Sequence, residues 1–222
     1  MRQFLRFFAP AAVTQRRQFM KKEFLQFDTV RDNALKLAHR IYSEGFIPDV
    51  IYVSLRGGAY LGNIISEYYK IVRKGARPVY YAAVVARSYT DIGKAAHIKV
   101  DGWTYSPEHL RIGDKVLLVD DIFDSGRTIN HLAQIILEKG IPRCDLKIAV
   151  HDYKVFTDKK DQYPIQPDYW CRKHDLSIHD EGHWIHYMSH ELMGLTHGEL
   201  EENYYSRDPY LRDPLSVITA EN

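Results

Sequence analysis

Val30, Ala34, Leu37, Ala38 and Ile41 recur at helical spacing, and the pattern predicts a helix from Asp28 to Gly45. Asp28 or Thr29 can cap its start, and Gly45 marks its end. Pro48 to Leu55 is a short β-rich run in which Val50, Ile51, Tyr52 and Val53 are apolar on both faces. A strand buried in a parallel sheet reads that way. Gly57 and Gly58 punctuate the run, and Ala59 to Ile71 resumes helical spacing. Pro78 to Val85 and Val116 to Val119 are two further continuous apolar strands. Thr128 to Lys139 is a helix with Ile129, Leu132, Ile135 and Ile136 on one side, and Leu146 to Val150 is another strand. Between them, Arg87 to Arg111 mixes Gly, Asp, Lys, Ser and Tyr with little periodicity. A connection of that length in a compact domain is usually functional or disordered.

The order strand, helix, strand, loop, strand, helix, strand predicts an α/β fold with a doubly wound, mainly parallel sheet. Beyond Pro164 the periodicity fades. Pro167 to Trp170 and Trp184 to Tyr187 are expected as short strands of a small C-terminal cap. Ser206 to Asn222 reads as a polar tail. The domain expected is therefore 20–205, followed by the tail 206–222.

Composition narrows the function classes. With 45% hydrophobic and 27% charged residues the chain can bury a core. A formal net charge of +1 offers no global field for nucleic acid or an anionic membrane. Two cysteines, Cys144 and Cys171, do not make a disulfide framework and point to a reduced, cytoplasmic compartment. No apolar run approaches the ~20 residues that span a bilayer. Residues 1–19 are set apart, because Met1 to Gln18 carries four arginines and no acid. That start has the composition of a transit peptide. It also reads as an upstream extension before Met20-Lys21-Lys22-Glu23, which is the favoured reading.

The chemistry concentrates in Val116-Leu117-Leu118-Val119-Asp120-Asp121-Ile122-Phe123-Asp124-Ser125-Gly126-Arg127-Thr128. Ligands of open α/β sheets sit at the carboxyl ends of strands. Here that end presents two adjacent carboxylates, a short polar loop and a helix start. Ser125 to Thr128 supply backbone N–H groups, hydroxyls and a guanidinium, a set suited to a phosphate at a helix N-terminus. Carboxylates beside a phosphate repel it unless they face hydroxyls or a cation, and a ribose diol with Mg2+ meets that need.

This segment resembles the phosphoribosyl diphosphate (PRPP) motif of type I phosphoribosyltransferases, most like the 6-oxopurine members. The resemblance implies that Asp120 and Asp121 hold the ribose hydroxyls, and that Asp124, Ser125, Gly126, Arg127 and Thr128 hold the 5′-phosphate. It implies Asp124 as the catalytic acid/base at purine N7. Ser54-Leu55-Arg56-Gly57-Gly58 resembles the diphosphate loop, with Arg56 and Gly57 binding and the Leu55–Arg56 peptide often cis. Ser88 and Tyr89 resemble the mobile catalytic loop that closes over the diphosphate. Lys154 takes the place of the lysine that bonds O6 of the base, and Trp184-Ile185 that of the pair that stacks on it. Glu191 follows where the family carries an acid near base or metal, so the expected Mg2+ ligands are Asp120, Asp121 and Glu191. The text around Glu191 departs from the family, with His186, Ser189 and His190 where apolar or proline residues are expected.

His174, His179, His183, His186 and His190 invite a zinc hypothesis. No HExxH motif is present, and surface histidines on a cap are the simpler reading. The reaction expected is transfer of a phosphoribosyl group from PRPP to a 6-oxopurine, giving a nucleoside monophosphate and diphosphate in purine salvage. A homo-oligomer is expected, with neither nucleic acid nor membrane as partner. The rival readings are a phosphoribosyltransferase for another base and a non-catalytic regulator of the same fold that senses PRPP or a nucleotide.

Overall fold

A computed structural model describes residues 22–89, 97–158, 163–177 and 183–219. The β-rich apolar runs become the central strands of one sheet. These are β2 (Val50–Leu55), β3 (Tyr80–Tyr89), β5 (Val116–Phe123) and β6 (Leu146–Phe156). With β4 (His97–Trp103) and β7 (Tyr169–Leu176) at its edges, the sheet has the order β4-β3-β2-β5-β6-β7. Every pairing is parallel except β3 with β4.

Alternate residues of each central strand enter opposite apolar layers, which is why both faces of these runs had to be apolar. On one face Tyr52, Val84, Leu118 and Ile148 meet Ile129, Leu132 and Ile136 of α3 (Arg127–Leu137). On the other, Ile51, Val53, Leu117 and Val119 meet α1 (Phe27–Ser43) and α2 (Ala59–Val72) through Leu37, Ile41, Leu61 and Ile65. Helices on both faces of a mainly parallel sheet make the doubly wound fold that the element order predicts.

The chain divides into two units. The larger is Phe27–Glu181, holding the six-stranded sheet; the smaller joins Met1–Gln26 to Gly182–Asn222. In the smaller unit β1 (Lys22–Leu25) pairs in parallel with β8 (Trp184–Tyr187). After β8 come α4 (His197–Leu200), a turn of π-helix at Glu201–Tyr205, a 3-10 turn at Pro209–Leu211 and α5 (Arg212–Thr219). Leu195, Leu200, Tyr204, Tyr205 and Leu215 bury one another there.

Several expectations are corrected. The stretch Arg87 to Arg111 is not a long loop: β3 runs on to Tyr89, and β4 returns antiparallel to it. Residues 90–96 lie outside the described residues. The strand expected at Pro167 to Trp170 is instead β7, an edge strand of the main sheet. The expected polar tail is helical over Pro209–Leu211 and Arg212–Thr219, because Leu211, Leu215 and Ile218 join the apolar cluster of the smaller unit. The strand Lys22–Leu25 had no forecast. The segment 1–19 lies outside the described residues.

Candidate active site

β5 carries its apolar run into the core and ends in polar groups. Asp120 is 8% exposed, and Asp121 follows it half-buried. Burial, with the neighbouring Asp121 charge next in weight, holds the Asp120 carboxyl well above the usual carboxylate range. One oxygen of each carboxylate is tied to the next amide: Asp121 N–H donates to Asp120 Oδ1 at 3.0 Å, and Ile122 N–H to Asp121 Oδ1 at 2.8 Å.

The chain then turns through Asp124 and Ser125 into α3. Gly126 has φ +78°, and a Cβ there would lie 2.3 Å from the Phe123 ring, so the turn admits only glycine. The Arg127 N–H donates to Ser125 Oγ at 3.4 Å. Asp120 to Ile122 and Asp124 to Ile129 line a cavity of about 280 Å3, together with Ile98 of β4. The predicted ribose acids and phosphate loop thus share one concave surface at the carboxyl end of β5.

The loop after β2 backs onto these acids. A Cβ on Gly57 would stand 2.3 Å from the Asp121 carboxyl group. One on Gly58 would stand 2.7 Å from Val119 O. Two glycines are therefore needed for the loop to approach β5. The Leu55–Arg56 peptide is cis. Arg56 is exposed, and the turn is closed by Gly58 N–H to Ser54 O and Ala59 N–H to Arg56 O, at 3.0 and 3.1 Å. Ser88 and Tyr89 end β3 opposite Ile98 and His97 in the ladder; their side chains lie outside the described set.

Lys154 projects from the end of β6, the strand next to β5. It is 7% exposed, and its Nζ lies 3.3 Å from Asp124 Oδ1. The larger unit therefore assembles Arg56, Gly57, Asp120, Asp121, Asp124 to Thr128 and Lys154 from three adjacent parallel strands.

Trp184, Ile185 and Glu191 belong to the smaller unit. Trp184 opens β8 and is half-buried. Ile185 is buried. Glu191 Oε2 accepts the Tyr187 N–H at 3.3 Å and lies 3.4 Å from His186 Nδ1.

Of the described histidines of this stretch, His186 departs from the surface position expected. His186 is fully buried on β8, with Nε2 3.0 Å from the Tyr204 hydroxyl. Burial pushes its imidazole down to about 4, so it is neutral at pH 7. The spacing argument for a helical zinc site fails, since His186 lies on a strand and His190 in a turn. His179 lies outside the described residues. His174 is on β7, where its Nε2 is 2.7 Å from Asp152 Oδ1.

Sequence reasoning missed two groups. Ile98 and Ile122 line the cavity, and nothing in their local pattern marks them. Asp152 is fully buried, yet contacts His151 Nδ1 at 2.7 Å, His174 Nε2 at 2.7 Å and Arg172 Nε at 3.2 Å. A buried carboxylate so partnered is tolerable, and it ties β6 to β7 just before Lys154.

Comparison with known proteins decides the family. Residues 22–184 match the phosphoribosyl transferase domain. The chain belongs to this phosphoribosyltransferase family. Among solved structures it is similar to a purine phosphoribosyltransferase of Pyrococcus horikoshii, with 19% identity and a TM-score of 0.58. That match covers 79% of this chain and 98% of the other. It is also similar to a hypothetical protein of Neisseria gonorrhoeae with bound ppGpp, with 20% identity and a TM-score of 0.59. There the coverage is 78% of this chain and 92% of the other. Both likenesses are likenesses of fold. No curated protein matches the chain in sequence. Among the described residues no helix is long and apolar enough to cross a membrane.

Proposed function

We propose that this phosphoribosyltransferase transfers the phosphoribosyl group of PRPP to a 6-oxopurine, releasing diphosphate. The observation that carries the choice of base is the pair Lys154 and Asp124, 3.3 Å apart at neighbouring strand ends. A 6-oxopurine presents O6 and N7 side by side on one edge. Lys154 donates to O6, and Asp124 takes the proton of N7 as N9 attacks C1′ and the C1′–O bond to diphosphate breaks. The charged ammonium also discriminates, because the 6-amino group of adenine offers it donors and leaves it poorly paired.

The remaining roles are those that the family resemblance implies, and of their residues Asp120, Asp121 and Asp124 to Thr128 line the cavity. Asp120 and Asp121 bind the ribose diol, and the loop Asp124 to Thr128 takes the 5′-phosphate. Arg56 and the amide of Gly57 take the diphosphate, with Ser88 and Tyr89 closing over it. Trp184 stacks on the purine beside Ile185. Mg2+ fits the donor set, since two adjacent carboxylates line the cavity and the burial of Asp120 disfavours its charge until a cation arrives. Asp120 and Asp121 would hold it, and Mg2+ supplies charge neutralisation for the leaving diphosphate. Glu191 enters this assignment through the family resemblance alone. The reading includes a place in purine salvage, a homo-oligomer and a cytoplasmic location, the last in keeping with two free cysteines.

The test is magnesium-dependent release of diphosphate from PRPP with hypoxanthine, guanine, xanthine, adenine and orotate. Turnover with the oxopurines and not with adenine or orotate is expected. Adenine used as well as hypoxanthine would overturn the assignment of the base. The ppGpp held by the Neisseria neighbour favours one second reading, a regulator that binds a nucleotide in this cavity without turnover. Tight nucleotide binding with no diphosphate release from any base would select it.

A further inference from the structure

Arg127 opens α3 and lines the cavity, and among the described residues it has no carboxylate partner. Its one side-chain contact there is remote in sequence: Nε donates to the Tyr163 hydroxyl at 3.3 Å. Tyr163 lies in the connection between β6 and β7, of which residues 163–166 are fastened at several points. Asn130, buried on the first turn of α3, donates to Ile165 O at 2.7 Å and accepts the Ile165 N–H at 2.9 Å. The same amide donates to Gly126 O at 3.0 Å, so one side chain links the phosphate turn to residue 165. Gln166 donates to Tyr163 O, and its Oε1 accepts the Tyr153 hydroxyl at 2.7 Å. Tyr153 in turn packs edge-on against Phe123 in the core.

The Tyr163 hydroxyl is thus presented from a frame anchored both in α3 and in the sheet. An arginine side chain is long and loses much rotamer freedom when it is fixed. A guanidinium held through Nε keeps its two Nη groups as a fork, the geometry that matches two phosphate oxygens. Nothing in that fork needs the sugar or the base.

We propose that Tyr163 is a positioning residue that pre-orders Arg127 to grip the 5′-phosphate of the sugar phosphate. The inference rests on the reading of this cavity as a sugar-phosphate site. It assigns Tyr163 no contact with substrate, only the fixing of the arginine before substrate arrives. Residues 163–166 then become a supporting wall of the phosphate site.

The experiment is calorimetric titration of the full chain with ribose 5-phosphate, which needs no catalysis, followed by PRPP kinetics. Tyr163→Phe removes only the hydroxyl. It should weaken ribose 5-phosphate binding by about fivefold, the order expected from re-ordering one long side chain. It should also raise KM for PRPP by a similar factor, with kcat within about twofold and KM for the base unchanged. In an Arg127→Ala background Tyr163→Phe should add nothing, which a general structural defect would not mimic. Unchanged ribose 5-phosphate affinity in Tyr163→Phe, or effects that add in the double variant, would overturn the inference. Absence of ribose 5-phosphate binding by the wild-type chain would overturn it together with the phosphate site. Binding without any transfer to a base would sink the enzymatic reading and leave this positioning role measurable.

Discussion

Lys154 Nζ lies 3.3 Å from Asp124 Oδ1, so a buried cation from β6 meets the acid that begins the turn between β5 and α3. The pair joins the proposed base site to the proposed phosphate site through one contact. Asp124→Asn should keep PRPP binding and lower turnover by roughly 10²-fold or more, because a general acid/base is lost. Single-turnover kinetics beside a PRPP binding titration separate the two effects. Wild-type turnover in the variant would remove Asp124 from the mechanism.

Lys154→Met keeps the aliphatic stem and deletes the donor. KM for hypoxanthine should rise about tenfold or more, and the preference over adenine should shrink. Trp184→Ala should raise KM for the purine and leave that for PRPP nearly unchanged, since stacking on a base is worth ~1–3 kcal/mol. Steady-state kinetics with each substrate varied in turn read both variants. A rise confined to PRPP would contradict both base-site assignments.

Gly57 is the tightest approach between the two loops of the larger unit. Gly57→Ala places a methyl 2.3 Å from the Asp121 carboxyl group, inside any real contact distance. The loop or the carboxylate must shift, and PRPP affinity should fall by about tenfold or more while the apolar layers stay intact. Isothermal titration with PRPP, beside a thermal melt, checks this. Unaltered affinity would show that the loop has room the structure does not display.

The smaller unit contains a shielded ion pair, Lys22 Nζ to Glu199 Oε2 at 2.7 Å, with Glu199 also accepting the Thr196 N–H at 2.8 Å in a capping box. Burial acts to raise the Glu199 carboxyl but is outweighed by these bonds from Lys22 and Thr196, so it sits below its ordinary value. A depressed carboxylate favours the fold above the unfolded-state pKa, and the benefit is lost as pH falls through the folded value. Glu199→Gln should therefore cost about 1–2 kcal/mol at pH 7, and the gap to wild type should narrow as pH falls below the ordinary glutamate range. Denaturant titrations at pH 7 and pH 3.5 measure it. A gap that widens in acid would reverse the sign and refute the argument.

The two thiols should behave differently. Cys144 is exposed, whereas burial pushes the Cys171 thiol up to about 12. Maleimide at pH 7.5 should label Cys144 rapidly and leave Cys171 unlabelled in the native protein, as read by mass spectrometry of the digest. Equal labelling of both would mean that β7 opens in solution.

What the sequence determined by itself was whatever lies within one contiguous stretch. Val116 to Thr128 contains a strand, a turn and a helix start in order, and the path of the chain from β5 into α3 follows from short-range geometry. Gly126 could be read as obligatory for the same reason: its φ of +78° belongs to the turn itself. The helix from Phe27 and the four central strands were equally legible, because both faces of a buried strand must be apolar. The spacing of Leu211, Leu215 and Ile218 also carried a helical signal, though the surrounding polar residues hid it.

Tertiary structure decided what depends on partners far along the chain. Edge strands β4 and β7 carry polar residues, and pattern alone cannot tell an edge strand from a loop. Cys171-Arg172-Lys173-His174 forms a strand where Arg172 and His174 meet the buried Asp152, some twenty residues earlier in the ladder. The meeting of Lys154 with Asp124, of Gly57 with Asp121 and of Tyr163 with Arg127 likewise depends on strand order. A sequence fixes which residues can make such contacts. Only the closing of β2, β5 and β6 into adjacent strands brings Lys154 to Asp124 and the backbone of Gly57 against Asp121.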